Sequence, residues 1–477
     1  MQMTANRFQL GFANTPETDP TPLRVEGRFP DWLSGVLVRN GPGTFDLKHV
    51  SYRHWFDGLA LLHSFAFAQG AVSHTSRYLN TPSYREDSAS GTINFRGFAS
   101  DPCRSLFKRA MSLFTPTPEG MNTNVNVTRL GDDFIAMTET PMAIAFDPRT
   151  LETLYSYPYH DGKDGTKRLE GNVTTAHPHY DPWRRLAYNY LLNFGVGSYY
   201  ELFSIEGGAR RPLAAIHTTL PAYIHSFGMT ERYLVLVEFS LVLPNPLTIL
   251  LADKPFIEHY RWESQRGATF HIIDKENGKV VKRAEADAFF AFHHVNAFER
   301  DGEIVVDVSG YDDARLIDEL RLDHLRGANP TITTGRLRRY RIPLSGKRAS
   351  YETIGADTIE LPRIHYRAHN GKAYRYAYGA GTQSAGADFL NQLIKMDTET
   401  GASVVWHEAD CYPGEPVFVP TPGGRAEDDG VILSVVLDSA AGSSFLLALD
   451  AQTFTEIGRA RTPVPVPFGF HGQYFDV

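Results

Sequence analysis

The stretch LIKMDTETGASVVW (residues 393–406) has the pattern of a β-hairpin: an apolar run, a polar turn and a second apolar run. Asp397 opens the turn, where its side chain can accept hydrogen bonds from backbone N–H groups just ahead of it. The same pattern occurs in FHIIDKENGKVVKR (270–283), with Asp274 in the equivalent place. A hairpin that recurs within one chain indicates a repeated structural unit.

Seven such hairpins are spread along the chain, four with Asp at the turn and three as looser copies. Their turns lie at Ala68, Asp147, Glu206, Asp274, Pro343, Asp397 and Asp450. Their separations of ~53–79 residues are typical of four-stranded propeller blades with insertions. The repeat therefore predicts an all-β fold, a seven-bladed propeller that forms one domain over residues 1–477. Insertions near 83–120 and 239–263 are expected to form a helical or loop cap over the active-site face. A β-sandwich with appendages is the alternative.

The composition excludes several classes of protein. A net charge of -8 over 477 residues leaves no basic surplus for binding nucleic acid. Cys103 and Cys411 are the two cysteines in the chain, too few for a disulfide framework, which fits a reducing interior. The N-terminal segment has no apolar core of signal-peptide length. The most apolar stretch, 233–252, contains Glu238 and Pro244 and is a poor membrane span. We therefore expect a cytoplasmic protein.

Four histidines fall near one position of the repeat. His225, His293 and His471 follow their hairpin turns by about 19–21 residues, and His177 follows by about 30 across a polar insertion. A lone histidine in AFFAFHHVNAFER (288–300) would be interpreted as a core residue bonded to a backbone carbonyl. Equivalent positions on the innermost strands of different blades converge on the propeller axis. The four histidines therefore predict a ring of imidazoles on the axis.

Two acids, Glu360 and Glu415, share that position of the repeat. A buried carboxylate beside an imidazole can accept the ring N–H that points away from a metal, which fixes the tautomer of the ring. Four imidazoles suit Zn, Cu, Fe and Ni alike, so the ligand type leaves the metal open. From spacing alone, a structural zinc site and a catalytic metal site are both possible.

The chain resembles the carotenoid cleavage oxygenases, a family of non-haem Fe(II) enzymes built on a seven-bladed propeller with a helical cap. The resemblance extends over nearly the whole chain and includes all the proposed ligands. It is carried by LSGVLVRNGPG (33–43), HWFDGLALLHSF (54–65), TAHPHYDP (175–182), IHSFGMT (224–230), FHHVNAFE (292–299), YPGEPVFVP (412–420), EDDGVILSVV (427–436) and PFGFHGQYF (467–475).

The resemblance implies a function. The expected protein is an iron(II)-dependent dioxygenase that uses O2 to cleave a conjugated double bond of a carotenoid or apocarotenoid into two carbonyl products. Fe(2+) would be held, one per chain, by the four histidines His177, His225, His293 and His471. The alternatives are a retinoid-ester isomerohydrolase, a stilbenoid-cleaving oxygenase, and a non-enzymatic lipid-carrier propeller held together by a metal.

The resemblance also assigns residues around the ligands. Glu139, Glu360 and Glu415 are expected to orient the ligand imidazoles without touching the metal. Within the pairs HPH and HH, the first histidine matches the family ligand, so His179 and His294 are predicted to face away. Val125 and Thr138 are the positions that bear on the substrate class.

Two positions bear on the choice of reaction. Val125 is expected near the open side of the metal, where some oxygenases of the family have Thr and the vertebrate retinoid isomerohydrolase has Val. Thr138 precedes Glu139, whereas the stilbene-cleaving branch tends to have Lys at that place, which weakens the stilbenoid interpretation.

A membrane-docking surface is predicted from DPCRSLFKRAMSLFTPTP (101–118). On a helix its apolar residues would form one stripe flanked by Arg104, Lys108 and Arg109, a pattern typical of interfacial helices. A cap helix packed inward is the alternative. Together with the apolar loop at 239–257, this segment predicts peripheral membrane association and access for a lipophilic polyene. The sequence gives no indication of the oligomeric state.

Overall fold

The computed structural model describes residues 7–102, 122–161, 169–195, 197–251, 254–383 and 387–477. The strands in the first half of the chain are β1 (Thr18–Pro22), β2 (Arg24–Gly27), β3 (Gly35–Thr44), β4 (Leu59–Ala68), β5 (Ala71–Tyr78), β6 (Asn126–Leu130), β7 (Asp133–Met137), β8 (Ala143–Phe146), β9 (Thr153–Ser156), β10 (Val173–Thr174), β11 (His179–Asp181), β12 (Leu186–Asn193), β13 (Tyr199–Glu206), β14 (Ala209–His217), β15 (Gly228–Met229), β16 (Tyr233–Glu238) and β17 (Leu241–Val242).

The strands continue through the second half as β18 (Arg261–Trp262), β19 (Ala268–Asp274), β20 (Val280–Ala286), β21 (His294–Arg300), β22 (Glu303–Gly310), β23 (Arg336–Pro343), β24 (Ser350–Thr358), β25 (Glu360–Arg363), β26 (Tyr376–Gly381), β27 (Gln392–Asp397), β28 (Ser403–Trp406), β29 (Cys411–Pro413), β30 (Val417–Pro420), β31 (Gly430–Asp438), β32 (Ser443–Asp450), β33 (Glu456–Arg461) and β34 (Gly472–Phe475). The α-helices are α1 (Pro82–Ser90), α2 (Leu247–Leu251), α3 (Leu316–Glu319), α4 (Leu322–Leu325) and α5 (Tyr366–His369). Short 3-10 helices occur at Arg7–Phe12, Trp55–Asp57, Phe256–His259 and Ser264–Arg266.

These strands form the seven blades of a β-propeller, which confirms the predicted fold and rejects the sandwich. Blade 1 has the order β34-β3-β4-β5-β1, blade 2 has β6-β7-β8-β9, and blade 3 has β10 and β11 beside β12-β13-β14. Blade 4 is β15-β16-β19-β20, blade 5 is β21-β22-β23-β24, and blade 6 is β25-β26-β27-β28. Blade 7 is β29 and β30 beside β31-β32-β33-β2. Antiparallel pairs of β3 with β34 and of β2 with β33 close the ring.

All seven predicted hairpins join the third and fourth strands of a blade, and in blades 1 and 7 a further strand, β1 or β2, lies outside that pair. The Asp residues open these turns as expected: Asp397 accepts hydrogen bonds from the N–H groups of Glu399 and Thr400 at 3.0 and 3.2 Å. Asp450 does the same for Gln452 and Thr453. Local side-chain acceptors thus explain why the hairpin signal is readable in the sequence.

Two of the connections between strands contact each other. The segment that follows α1 meets the segment from β17 to β18, where Ile257 N–H donates to the carbonyl of Phe98 at 2.9 Å. The predicted amphipathic helix at 101–118 lies almost entirely outside the described residues. Among the helices that the structure describes, none has the length and apolar character needed to cross a bilayer.

Candidate metal centre

Four histidines meet on the propeller axis, each at the residue or turn that leads into the inner strand of a different blade. His177, His225, His293 and His471 belong to blades 3, 4, 5 and 1. One ring nitrogen of each lies within 4.8 Å of the corresponding atom of the other three. The Nε2 atoms of His177 and His225 are 3.0 Å apart, and those of His293 and His471 are 3.2 Å apart. The common repeat position thus brings the four rings to one point.

The remaining blades place other predicted residues at the same level. Glu360 begins β25 of blade 6, and Glu415 lies between β29 and β30 of blade 7. Val125 precedes β6 of blade 2, and its carbonyl accepts a hydrogen bond from His471 N–H at 3.2 Å. Glu139 lies elsewhere on blade 2, in the turn between β7 and β8. This different position explains why the repeat did not reveal it.

Three of the imidazoles donate to carboxylates on the side away from the centre. His225 Nδ1 lies 2.7 Å from Glu139, His293 Nδ1 lies 2.6 Å from Glu360, and His471 Nδ1 lies 2.7 Å from Glu415. An ionised carboxylate only accepts hydrogen bonds, so each of these rings carries its proton on Nδ1. Their Nε2 atoms therefore direct lone pairs inward.

The inward lone pairs fit a cation. Two unprotonated nitrogens that face each other at 3.2 Å, as in His293 and His471, repel one another unless a positive charge lies between them. Separations of 3.0 and 3.2 Å suit nitrogen ligands about 2.1 Å from a shared transition metal. The donor set is thus that of a divalent metal with imidazole ligands.

Burial keeps the rings neutral and ready for such a metal. Desolvation, reinforced by the neighbouring imidazoles, lowers the pKa of His177 well below its usual value. Desolvation lowers the pKa of His471 to about 3, although Glu415 opposes the shift. The pKa of His225 is also lowered, since burial outweighs the effect of Glu139. Neutral imidazole is the form that binds metal.

His177 differs from the other three rings. No carboxylate among the described residues is hydrogen-bonded to it. Its backbone N–H donates to Thr175 Oγ1 at 3.0 Å, and the Thr175 hydroxyl donates to the carbonyl of His225. Backbone position, not a bond to Nδ1, therefore places this ring.

The neighbouring histidines, His179 and His294, have other partners. His179 is hydrogen-bonded through Nε2 to the carbonyl of Phe227 at 2.7 Å. His294 begins β21, so its side chain leaves the strand on the opposite face from His293. Its Nδ1 lies 2.9 Å from Ser226 Oγ. Neither ring joins the four-histidine group.

The three carboxylates have further partners that were not identified from the sequence. Tyr223 donates to Glu139, Tyr311 donates to Glu360, and Arg39 donates to Glu415. A buried arginine in the apolar strand VLVRNGPG was an available signal for Arg39, because arginine is rarely buried unless paired. The two tyrosines are ordinary core aromatics by sequence, and no pattern marked them.

Aromatic rings border the centre. The ring of Phe292 lies 5.3 Å from that of His225, centroid to centroid. Phe56 packs between Phe292 and Phe470 at 5.8 and 5.3 Å. Phe98 lies 5.9 Å from Tyr223. These side chains give the approach to the histidines an apolar surface.

Known proteins share this architecture and much of the sequence. Residues 11–476 match the family described as retinal pigment epithelial membrane protein. A mitochondrial carotenoid-cleaving dioxygenase of Macaca fascicularis is 36% identical, over 95% of this chain and 92% of that protein. The chain belongs to the carotenoid cleavage oxygenase family. A β,β-carotene 15,15′-dioxygenase of Homo sapiens is 35% identical to this family member, over 96% of this chain and 92% of that protein.

A solved structure extends the comparison to the fold of the family. The apocarotenoid oxygenase of Synechocystis, in a cobalt-substituted form, superposes on this oxygenase with a TM-score of 0.86 and 27% identity, covering 99% of both chains. In this family member, the four imidazoles form a group that could hold a metal ion.

Proposed function

We propose that this protein is an iron(II)-dependent dioxygenase that cleaves a conjugated carbon–carbon double bond of a carotenoid or apocarotenoid into two carbonyl products. The observation that carries the proposal is the group of four converging imidazoles, three of them oriented by carboxylates, in a chain that belongs to this family. Relatives that cover nearly the whole chain are named carotenoid-cleaving and β,β-carotene dioxygenases.

The ligands of the metal would be His177, His225, His293 and His471, with Glu139, Glu360 and Glu415 orienting three of the rings. Bound iron(II) would supply the activation of O2, which no protein side chain can perform. Iron is chosen over other metals on family membership, since imidazole also suits zinc, copper and nickel. Val125 is hydrogen-bonded to the backbone of His471, and its side chain would limit the space beside the metal.

The chain itself would bind and orient the polyene. Phe56, Phe292 and Phe470 offer flat apolar faces beside His225, suited to a conjugated chain without polar groups. Burial of the polyene against these rings would exclude water from the reacting bond. No general acid or base is required of the protein, since cleavage to two carbonyls by O2 involves no net proton transfer.

Products identified by mass spectrometry test the proposal. The iron-loaded protein would be incubated with detergent-dispersed β-carotene, apocarotenals, a retinyl ester and a stilbene, while O2 consumption is followed. We expect paired carbonyl products from a carotenoid or apocarotenoid, with one O2 consumed per bond cleaved. Absence of polyene cleavage by protein with a full iron complement would overturn the proposal.

Val125 gives the isomerohydrolase alternative a specific basis, because the retinoid isomerohydrolase has Val at the matching position. That activity would convert the retinyl ester to a free retinol without consuming O2. The same incubation therefore separates the two reactions. Thr138 stands where the stilbene-cleaving branch tends to have Lys, which weakens the stilbenoid alternative.

We infer also that the protein works at a membrane surface, because its substrate class dissolves in lipid. Leu247 in α2 is 40% exposed and belongs to an apolar stretch, so its side chain would be available to lipid. The basic segment at 101–118, which the sequence also predicts to dock, lies almost entirely outside the described residues. A cytoplasmic location remains part of this proposal, and the relatives named above include mitochondrial proteins.

A further inference from the structure

The three carboxylates around the metal centre are held by chemically different partners. Glu139 accepts from the neutral hydroxyl of Tyr223. Glu360 accepts from the neutral hydroxyl of Tyr311 at 2.6 Å, and the neutral hydroxyl of Ser309 lies 2.9 Å away, between Glu360 and the carbonyl of Ile359. Glu415 instead accepts from the guanidinium of Arg39, at 2.5 Å. Two of the carboxylates thus have neutral donors behind them, and the third has a full positive charge.

The Arg39–Glu415 pair is deeply buried, with side-chain exposures of 6% and 1%. Arg39 lies on β3 directly opposite Gly472 on β34. A side chain at Gly472 would begin 2.5 Å from Arg39 Cδ, so the glycine leaves room for the arginine. A second N–H group of Arg39 donates to the carbonyl of Phe470 at 2.9 Å. Arg39 therefore contacts both Glu415 and the segment that carries His471.

Glu415 in turn holds that segment at two points. One carboxylate oxygen accepts from His471 Nδ1 at 2.7 Å, and the other accepts from Gly472 N–H at 2.9 Å. A buried charge whose partner is removed is strongly unfavourable, whereas removal of both members of a buried pair is often tolerated. The position of His471 therefore depends on two matched charges, and that of His293 on an anion with neutral donors.

We propose that Arg39 is a positioning residue for the metal centre, which neutralises Glu415 and so fixes the ring of His471. The inference rests on the proposed function only in requiring that the four imidazoles bind a divalent metal. It makes the Arg39–Glu415 pair a unit: loss of either charge disturbs the ligand, and loss of the second charge then relieves the disturbance. A residue of merely structural importance would not produce that relief.

Cobalt(II) titration of the metal-free full chain tests the pair, read by ligand-field absorption. Arg39→Met and Glu415→Gln should each weaken cobalt binding by about 10–100-fold. The double variant should bind cobalt more tightly than Glu415→Gln alone, by about tenfold, because it no longer buries an unpaired guanidinium. A double variant that binds more weakly than both single variants would overturn the proposal.

Arg363 is a second cation beside Glu415. Its Nε lies 3.5 Å from the carboxylate and its guanidinium donates to the carbonyl of Gly472, while its side chain is 27% exposed. Arg363→Met should weaken cobalt binding less than Arg39→Met does, because water can partly replace a guanidinium that is partly exposed. An effect as large as that of Arg39→Met would assign the role to net positive charge in the region and contradict a specific role for Arg39.

Two further measurements keep the outcomes distinct. If Arg39→Met does not melt cooperatively, Arg39→Lys replaces it: it retains the charge beside Glu415 but cannot reproduce both contacts of the guanidinium, so cobalt affinity should fall less than in Glu415→Gln, and a loss as large as that of Glu415→Gln would overturn the proposal. If the parent protein binds no cobalt, or if His293→Ala binds as the parent does, the proposed metal centre itself is wrong. If the parent binds cobalt but the double variant binds it no more tightly than Glu415→Gln, the metal centre stands and only the proposed role of Arg39 is wrong.

Discussion

The hydroxyl of Tyr223 lies 2.9 and 3.0 Å from the two oxygens of Glu139, while its ring packs against Phe98 and Phe292. One side chain thus joins the apolar approach to the carboxylate that orients His225. A change in the packing of these aromatic rings would reach a candidate metal ligand through a single hydrogen bond.

Tyr223→Phe keeps the ring and removes that hydrogen bond. We expect a loss of about 10-fold in turnover or metal affinity, the lower end of the range for groups that orient a ligand. The free energy of unfolding should change little, since Glu139 still accepts from His225. Iron content, turnover and a thermal melt check this. An unchanged turnover with an unchanged iron content would contradict the coupling.

The adjacent residues His293 and His294 give a variant and its own control. His293→Ala should lose most bound iron and all polyene cleavage, because one of four ligands is removed. His294→Ala should retain its iron, since that ring contacts Ser226 and stands away from the centre. Metal analysis of the two purified proteins compares them. Equal iron loss in both would contradict the assignment of His293, and not His294, as a metal ligand.

Removal of the metal should lower the thermal stability. A ligand that binds only the folded chain stabilises it by about 2.7 kcal/mol at a concentration 100 times its dissociation constant. A chelator should therefore lower the melting temperature of the parent, and added iron(II) or cobalt(II) should restore it. His293→Ala should show a much smaller response to either addition. If the chelator does not change the melting temperature of the parent, the protein does not hold a metal tightly.

The buried ring of His54 predicts a pH dependence of stability. Its Nε2 donates to the carbonyl of Ile317 at 2.8 Å and its Nδ1 accepts from Phe56 N–H, so the ring is neutral. Burial lowers its pKa to about 3. Below about pH 6.5 this histidine binds a proton in the unfolded chain but not in the folded chain. The free energy of unfolding therefore falls as the pH falls, by up to about 1.4 kcal/mol per pH unit.

Denaturant titrations between pH 7 and pH 5 measure this slope. His54→Asn cannot take up the proton, although its side chain can still accept a hydrogen bond from Phe56 N–H. The variant should therefore lose less stability over this interval than the parent. Identical slopes in the two proteins would show that His54 does not contribute to the pH dependence of stability.

Membrane docking through the cap can be tested at Leu247. Leu247→Glu should reduce sedimentation with liposomes and slow the cleavage of membrane-dissolved polyene, while cleavage of detergent-dispersed polyene should change less. Val404, on the outer strand β28, is 49% exposed and serves as a control for the introduced charge. If Leu247→Glu and Val404→Glu sediment alike, α2 does not take part in docking.

The sequence predicted those features that repeat with the blades. The hairpins were readable because each turn is capped by its own side chain, as at Asp397 and Asp450. The histidines were readable because equivalent positions of a propeller meet on the axis. Glu139 required the family resemblance, since it lies on a turn between β7 and β8 and away from the inner strands.

Contacts between blades were beyond sequence reasoning. The bonds from Tyr311 to Glu360 and from Arg39 to Glu415 join residues 49 and 376 positions apart. Such pairs depend on the directions of side chains in the packed interior, and hydrophobic periodicity carries no information about those directions. The repeat indicated the histidines, Glu360 and Glu415, and the resemblance added Glu139, but neither indicated the groups that hold the carboxylates.

The origin of the four imidazoles in four separate blades has a mechanical consequence. Blades 3 and 4, which carry His177 and His225, are also joined at a distance from the axis by Lys275 and Asp181, 2.7 Å apart and almost fully buried. A seam between blades cannot widen at such a contact without moving two imidazoles apart. A cation on the axis would therefore resist separation of the blades. Its binding affinity would then fall when strain opens a contact between blades, even where that contact includes no metal ligand.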